Sequence, residues 1–244
     1  MKLSGYLITS DHRKVHYDHY KSNHEKVIII AHGFYNSKQA ILLKQLAELL
    51  HDEYDVILFD FRGHGRSDGW FYWTSKEYLD LLAVIEFAGK HHEKIGLIGF
   101  SLGAASSIIA ARKTTSIDSI VAISAPMAFE KIDYCFWKFD VKNDVLYNLF
   151  EEGRHGKGVR PGPFWHKKEK PIDLVKKIET PIFYIHGEAD WVIHHRHSME
   201  LYHHTASFKR LSIVKQGPHA EYLFREHKDE VLHLIREWFH ETLK

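Results

Sequence analysis

A serine with one glycine two positions before it and another two positions after it is the residue of this chain best suited to catalysis. It stands in Gly99-Phe100-Ser101-Leu102-Gly103, where the apolar run Lys94–Phe100 meets the alanine-rich run Leu102–Lys113. The first run has the length and composition of a buried strand, and the second has the pattern of a helix. A serine at such a strand-to-helix turn projects its Oγ above the sheet, and the glycines let strand and helix approach closely. We therefore predict that Ser101 is a nucleophile for acyl transfer.

Two later loops carry candidates for the base and the acid that a serine nucleophile requires. Asp190 follows the predicted strand Pro181–His186 and is the favoured acid, with Glu188 as its rival. His219 lies in a Gly-Pro turn after the predicted strand Arg210–Val214 and is the favoured base. The chain has 21 histidines, so a solvated loop position is the alternative for His219. The order serine, acid, histidine is the one expected when the nucleophile occupies a strand-to-helix turn.

The loop His32-Gly33-Phe34-Tyr35, after the predicted strand Lys26–Ala31, is suited to hold an oxyanion. An oxyanion hole needs two backbone N–H groups, one directly after the nucleophile and one from the loop of an early strand. We predict that the N–H groups of Leu102 and Phe34 fill these roles. His32 is more consistent with a structural histidine that fixes the turn than with a second base.

The glycine-rich segment Asp60–Ser67 and the aromatic run Trp70-Phe71-Tyr72-Trp73 allow two interpretations each. Arg62 or His64 could contact substrate, but polar side chains that hold the neighbouring backbone are the favoured interpretation. The four consecutive aromatic residues cannot all face one core. Some of them either border the site entrance or pack against a later insertion.

Most of the chain alternates short apolar runs with helical patterns, which predicts parallel strands joined by right-handed crossovers. Near the N-terminus, runs at Leu3–Thr9 and Lys14–Tyr20 have no helix between them and predict an antiparallel hairpin at the sheet edge. The further predicted strands are Lys26–Ala31, Asp55–Asp60, Lys94–Phe100, Ser116–Ser124, Pro181–His186 and Arg210–Val214, and the predicted helices are Ile41–His51, Ser75–His91, Leu102–Lys113, Arg196–His204 and one long final helix, Glu221–Leu243.

Residues 127–173 interrupt this alternation with many aromatic side chains and a turn-rich stretch. We predict that they form a cap inserted into a core made of residues 1–126 and 174–244. Aromatic residues suit an apolar acyl or aryl pocket, and Trp137 and Trp165 of the cap join Phe34 as candidate substrate-binding residues.

Composition excludes several function classes. The formal net charge is +1, which gives no basis for a nucleic-acid partner, and Cys135 is the only cysteine, so no intrachain disulfide can form. No apolar run is long enough for a signal peptide or a membrane span. No phosphate-binding glycine motif follows the early strands. We expect a soluble, cytoplasmic protein without stable membrane insertion, and the sequence leaves its oligomeric state open.

Histidine pairs at His91-His92, His194-His195 and His203-His204 raise the question of a metal site. No His-Glu-x-x-His pattern and no cysteine cluster accompanies them. A polar surface is therefore the favoured interpretation, and we expect no metal.

In their order along the chain, these segments resemble the α/β-hydrolase superfamily, especially its esterase, monoacylglycerol-lipase-like and serine-aminopeptidase-like branches. The resemblance spans nearly the whole chain except residues 127–173, where the family places its variable cap. It implies a mainly parallel sheet of about eight strands with an antiparallel start, helices on both faces, and no cofactor. The matching segments are His32-Gly33-Phe34, Asp60–Ser67, Gly99–Gly103, His186–Asp190 and Gly217-Pro218-His219.

The sequence thus predicts a serine esterase that cleaves small-molecule esters with short-to-medium acyl or aryl groups through an acyl-enzyme. A thioesterase and a serine aminopeptidase use the same triad and remain alternatives, as does a non-catalytic ligand-binding protein. An aminopeptidase needs carboxylates for the substrate amine, for which Glu130, Asp133, Glu151 and Glu152 are candidates. A dehalogenase is disfavoured because the turn carries Ser101 rather than an aspartate.

Overall fold

An eight-stranded sheet organises the chain in the computed structural model, which describes residues 1–132 and 158–244. The strands are β1 Lys2–Ile8, β2 Lys14–Tyr20, β3 Lys26–Ala31, β4 Asp55–Phe59, β5 Lys94–Phe100, β6 Ser119–Ile123, β7 Ile182–Gly187 and β8 Lys209–Val214. Their spatial order is β1-β2-β4-β3-β5-β6-β7-β8. The first two strands form the predicted antiparallel hairpin, and the strands from β4 to β8 pair in parallel. The predicted α/β-hydrolase topology is therefore confirmed.

Helices cover both faces of this sheet. They are α1 Ile41–Leu50, α2 Glu77–Gly89, α3 Leu102–Ala111, α4 Pro171–Leu174, α5 Arg196–His204, α6 Glu221–Glu226 and α7 Lys228–Thr242, with short 3-10 turns at Phe129–Lys131 and Val175–Lys177. Alternate residues of each central strand face opposite sides, as the pleat requires. In β3, Val27 and Ile29 join the core under α2, α3 and α5, whereas Ile28 and Ile30 join the core under α1, α6 and α7. Burial on both faces explains why the central strands are continuously apolar.

The prediction of one continuous final helix is wrong, because His227 separates α6 from α7. Its backbone angles, φ −120° and ψ 43°, leave the helical region. Every residue from Arg225 to Glu230 is charged or a histidine. Hence no apolar contact in this stretch favours a single continuous helix over two separate ones. The break lets Phe224 and Val231 reach the same core from two differently directed helices.

The parallel strands all end at one edge of the sheet, here called the carboxyl edge. The loops that follow β3, β5, β7 and β8 carry every catalytic residue predicted from the sequence. Such an edge is where ligands bind in open α/β sheets. The opposite edge, where the parallel strands begin, is called the amino edge.

Of the predicted cap, residues 127–132 and 158–173 fall within the described part of the chain. Short bridges join His64 to Val159 and Phe71 to Pro161, so the second of these segments lies along the loop after β4. The boundaries of the cap stay a prediction. Among the described residues, no helix has the length and apolar composition needed to cross a membrane.

Candidate active site

Ser101 occupies a strained turn between β5 and α3. Its backbone angles are φ 50° and ψ −104°, a region that costs a non-glycine residue about 1–3 kcal/mol. The Ser101 N–H donates to the Ile123 carbonyl oxygen at 2.9 Å, which holds the turn against the end of β6. The residue is 9% exposed. The fold thus maintains a strained backbone at the position predicted for a nucleophile.

The two glycines beside Ser101 permit backbone contacts that no other residue would allow. A Cβ on Gly99 would lie 2.6 Å from the Ala104 backbone, and one on Gly103 would lie 2.1 Å from the Ala31 carbonyl oxygen. Both distances are far below van der Waals contact. Gly103 therefore brings the first turn of α3 against the end of β3, beside the loop predicted to hold the oxyanion.

His219 and Asp190 form a direct hydrogen bond. The Nδ1–H of His219 donates to Oδ2 of Asp190 at 2.7 Å. With its proton on Nδ1, the neutral imidazole keeps a lone pair on Nε2, which is the form required of a general base. The His219 side chain is 13% exposed and Asp190 is fully buried. The acid thus lies behind the histidine, away from solvent.

Asp190 is held by four groups. Its Oδ1 accepts the N–H groups of Val192 and Ile193 at 2.9 and 2.8 Å, and its Oδ2 also lies 3.1 Å from Nε2 of His186. Burial opposes ionisation, but the two histidines and these hydrogen bonds outweigh it and hold the pKa of Asp190 well below its ordinary value. The residue is a carboxylate at neutral pH.

His186 is a buried histidine beside Asp190 that the sequence alone does not indicate as a site residue. It is fully buried, and its Nε2–H is shared between the Ile193 carbonyl oxygen at 2.8 Å and Asp190. The Ser198 hydroxyl lies 2.7 Å from its Nδ1. The only sign of its role in the sequence is its position directly before Gly187, at the end of β7. The sequence does not indicate that this histidine contacts Asp190.

Glu188, the rival acid, is exposed and accepts the Gln216 N–H at 3.2 Å instead. The loops after β7 and β8 lie so close that a Cβ on Gly187 would be 2.1 Å from the Gly217 carbonyl oxygen. The Ala189 N–H donates to that same oxygen at 2.9 Å. This contact sets the acid loop against the histidine loop and favours Asp190 over Glu188.

Ser124, after β6, is a further residue that the sequence did not indicate. It is fully buried with φ 52°, and its Oγ accepts the Ala220 N–H at 3.0 Å. Ala220 directly follows His219 and is itself at φ 49°. The bond therefore fixes the backbone on the C-terminal side of the predicted base.

Glu221 fastens the predicted oxyanion loop to the histidine loop. The Gly33 N–H donates to Oε1 of Glu221 at 2.9 Å, across 188 positions of sequence. The N–H of Phe34 has no acceptor within residues 1–132 and 158–244. Leu102 supplies the first N–H of α3, which has no partner inside a helix. Both predicted donors are thus available to a ligand.

His32 has a structural role, as the sequence suggested. Its Nδ1–H donates to the Gly33 carbonyl oxygen at 2.7 Å, and its Nε2 accepts the Phe61 N–H at 3.0 Å. Complete burial lowers the pKa of His32 to about 4. The neutral ring joins the loop after β3 to the loop after β4.

A cavity of about 270 Å³ opens between these loops, and Ser101, His219 and Glu221 all line it. The remaining wall is mostly apolar and includes Phe34, Phe71, Trp73, Phe129, Ile132 and Val192. The rings of Phe34 and Trp73 lie 6.1 Å apart in a stacked arrangement, and Phe71 lies 5.0 Å from Trp73. The cavity is suited to a flat or flexible apolar group placed against the serine.

Not all candidate substrate-binding residues lie at this cavity. Phe34 lines it and is 47% exposed. Trp165 is 73% exposed and is absent from the cavity wall, because its ring contacts Phe164 and His166 at the surface. Trp137 lies outside the described residues. The structure instead brings Phe71 and Trp73 of the consecutive aromatic run to the cavity.

Arg62 and His64 lie away from the cavity wall, which supports their interpretation as residues that hold the loop. Arg62 is 1% exposed and pairs with Asp80 at 2.8 Å and with Asp11 at 2.7 Å. His64 donates from Nδ1 to the Arg62 carbonyl oxygen at 3.0 Å. Both side chains stabilise the segment after β4.

Comparison with known proteins gives matches to a family and to two curated relatives. The family model described as the alpha/beta hydrolase fold matches residues 26–144. The serine hydrolase BPHL of Homo sapiens is 24% identical over 233 residues, covering 84% of this chain and 77% of that protein. The uncharacterized protein YqkD of Bacillus subtilis (strain 168) is 25% identical over 207 residues and 79% of this chain, and the match spans 64% of YqkD's length.

A solved structure extends the likeness over the whole chain. The esterase Pf2001 of Pyrococcus furiosus superposes with a TM-score of 0.80 at 23% identity, covering 100% of this chain and 94% of that one. Identity at this level shows a shared fold.

Proposed function

Because the chain is a member of the α/β-hydrolase superfamily, we propose that it is a serine hydrolase that cleaves carboxylic esters. The observation that carries the proposal is the pairing of the buried Asp190 with His219, which lines the same cavity as Ser101. A strained serine and a histidine at one cavity, with an ionised acid bound behind the histidine, form a complete set for acyl transfer.

In the proposed reaction, Nε2 of His219 accepts the hydroxyl proton of Ser101 while Oγ attacks the ester carbonyl carbon. Asp190 keeps the imidazole in the required tautomer and stabilises its protonated form. The tetrahedral intermediate collapses with cleavage of the C–O bond, and His219 returns the proton to the leaving alcohol. His219 then takes a proton from a water molecule while the water oxygen attacks the acyl carbon. The bond from that carbon to Ser101 Oγ breaks, Oγ regains the proton from His219, and the acid is released.

The N–H groups of Phe34 and Leu102 are the proposed donors to the oxyanion. A donor of this kind contributes about 3 kcal/mol to the stability of the transition state. The Gly33 N–H already donates to Glu221. The next N–H along the loop is that of Phe34, which supports its assignment as the second donor.

The cavity wall supports an apolar acyl or aryl group as the preferred substrate part. A volume of about 270 Å³ with stacked aromatic rings suits short-to-medium acyl chains or a single aryl ring. The carboxylates proposed for an aminopeptidase give less support. Glu130 pairs with Lys170 outside the cavity wall, and Asp133, Glu151 and Glu152 lie outside the described residues.

The test is hydrolysis of p-nitrophenyl esters of increasing acyl length, with matched thioesters and aminoacyl anilides in the same screen. We expect kcat/KM to peak at a short-to-medium or aryl acyl group. Ser101→Ala and His219→Ala should each lower kcat by roughly 10⁴-fold or more on that ester. Unchanged turnover in both variants would remove the proposed triad, and a clear preference for anilides would replace the esterase by a peptidase.

A further inference from the structure

A second group of polar side chains lies at the amino edge of the sheet, far from Ser101. His19 comes from β2, Asp55 is the first residue of β4, and His92 follows α2. Nε2 of His92 lies 3.1 Å and Nε2 of His19 lies 3.3 Å from the same oxygen, Oδ2 of Asp55. Exposure of the three side chains is 4% for His19, 0% for Asp55 and 2% for His92. Three potential ligand atoms therefore converge in a closed site.

Hydrogen bonding determines which ring nitrogen of His92 carries a proton. Nδ1 of His92 lies 3.0 Å from the Ala88 carbonyl oxygen, which can only accept, so Nδ1 is the donor. In the neutral ring, Nε2 then carries a lone pair that faces a carboxylate oxygen at 3.1 Å. Two such atoms repel each other unless a proton or a cation lies between them.

Asp55 is oriented in the same manner. Its Oδ1 accepts the N–H groups of Ser22 at 2.8 Å and His24 at 3.1 Å. These bonds turn Oδ2 toward both histidines. Outer contacts that fix the ring of a ligating histidine and one oxygen of a ligating carboxylate are characteristic of metal sites.

The distances from Asp55 Oδ2 to the two histidine nitrogens match those between two ligands of a tetrahedral ion. Zinc binds histidine nitrogen and carboxylate oxygen at about 2.0–2.2 Å, which places two ligands of a tetrahedron about 3.3 Å apart. The separations from Asp55 Oδ2 are 3.1 and 3.3 Å, and all three ligand atoms lie within 4.8 Å of one another. Two imidazoles with one carboxylate suit zinc-type ions, whereas calcium and magnesium prefer oxygen ligands.

We propose that His19, Asp55 and His92 bind one divalent transition-metal ion of the zinc type. The ion joins β2, β4 and the end of α2 and so stabilises the amino edge of the sheet. Asp55 lies 36 positions after His19 and 37 positions before His92, so no local sequence motif indicates the site. Of the adjacent pair His91-His92, only the buried His92 takes part, because His91 is exposed.

The alternative is a proton in place of the ion, as a buried His92 imidazolium paired with Asp55. Metal content and metal spectroscopy separate the two cases.

The experiment measures zinc by mass spectrometry in protein passed through a weak-chelator column, and visible absorption after replacement by Co²⁺. The variants are His92→Asn and His19→Asn, with His91→Asn as the matched exposed control. We expect about one ion per chain, and the absorption of low-coordinate Co²⁺, in the unmodified protein and in His91→Asn. Both should be lost in His92→Asn and His19→Asn.

Thermal unfolding gives a readout that needs no substitution. Zinc at ~100 times its Kd should raise the Tm of the unmodified chain by roughly 5–10 °C, while calcium and magnesium should not. This measurement decides the question if the ligand variants fail to fold. A folded chain that holds no zinc and shows no Tm shift would overturn the proposal. So would equal zinc in His91→Asn and His92→Asn, because other surface histidines would then hold it.

Discussion

Asp190 and Asp55 are held in nearly the same way at opposite edges of the sheet. Each is fully buried, and in each Oδ1 accepts two backbone N–H groups. In each, Oδ2 contacts two histidines, at 2.7 and 3.1 Å for Asp190 and at 3.1 and 3.3 Å for Asp55. The same carboxylate arrangement has thus been built twice from unrelated segments.

The two clusters differ in what the second ring nitrogen of the histidine contacts. His219 presents Nδ1 to Asp190 and lines the cavity beside Ser101. His92 presents Nε2 to Asp55, while its Nδ1 is bound to the Ala88 carbonyl oxygen. A histidine oriented by aspartate can act as a base only where its second nitrogen reaches a substrate. Where both nitrogens are engaged, the same unit stabilises the fold.

The largest expected effect separates the two aspartates. In Asp190→Asn the amide oxygen can still accept the Val192 and Ile193 N–H groups, which turns the amide NH2 toward His219 and favours the wrong tautomer. We therefore expect kcat for ester hydrolysis to fall by about 10⁴-fold. Steady-state kinetics with a p-nitrophenyl ester, with folding checked by circular dichroism, measures this. A loss of less than tenfold in a folded variant would show that Asp190 does not orient the base.

The two edges also differ in how closely neighbouring atoms approach a glycine. Gly103→Ala places a Cβ against the Ala31 carbonyl oxygen at the carboxyl edge and should lower the free energy of unfolding by about 3 kcal/mol. Gly89→Ala, at the end of α2 near the amino edge, meets only a side-chain carbon of Ile95 at 3.7 Å. It should be neutral or stabilising by about 0.5–1 kcal/mol. Urea unfolding of both variants checks the difference, and equal destabilisation would contradict it.

His32 tests what burial does to a histidine of the carboxyl edge that has no carboxylate partner. Its pKa falls from 6.5 to about 4 in the folded chain. Below pH 6.5 the unfolded chain binds a proton that the folded chain does not, so stability is lost as the pH falls from 6.5 to about 4. The expected loss from this group is about 3 kcal/mol. Titration of the His32 ring by NMR measures it, and a midpoint near 6.5 would refute it.

Glu221 tests whether the oxyanion loop must be fastened to the histidine loop. Glu221→Ala removes the acceptor for the Gly33 N–H, and we expect kcat to fall by roughly 10-fold with little change in KM. Glu221→Gln keeps an acceptor oxygen and should restore most of the rate. A rise in KM without a change in kcat would instead place Glu221 in ground-state substrate binding.

Sequence predicted those parts of the site that depend on local pattern. The turn at Ser101, the loop positions of Asp190 and His219, and the antiparallel hairpin each follow from short runs with distinctive composition. Contacts made by chain segments far apart in sequence were out of reach. Glu221 on Gly33 and the group at Asp55 each depend on how strands are placed next to one another. The pairing of His186 with Asp190, only four positions apart, depends instead on the conformation of the loop after β7.

The break at His227 and the position of Trp165 show a different limit. A helical pattern of apolar residues indicates which residues face the core, but not whether these residues belong to one continuous helix or to two. An aromatic residue in an insertion indicates a possible pocket wall, but Phe71 and Trp73 of an earlier segment fill that place. In both cases the outcome depends on packing partners that the local sequence does not contain.

The most direct test of the central claim is the covalent intermediate itself. The chain is treated with a fluorophosphonate, and intact mass and peptide mapping locate the adduct, alongside a pre-steady-state burst of p-nitrophenol from an ester. We predict one adduct per chain, on Ser101, a burst of matching size, and neither in Ser101→Ala. An adduct on another residue, or an undiminished burst in Ser101→Ala, would contradict the account.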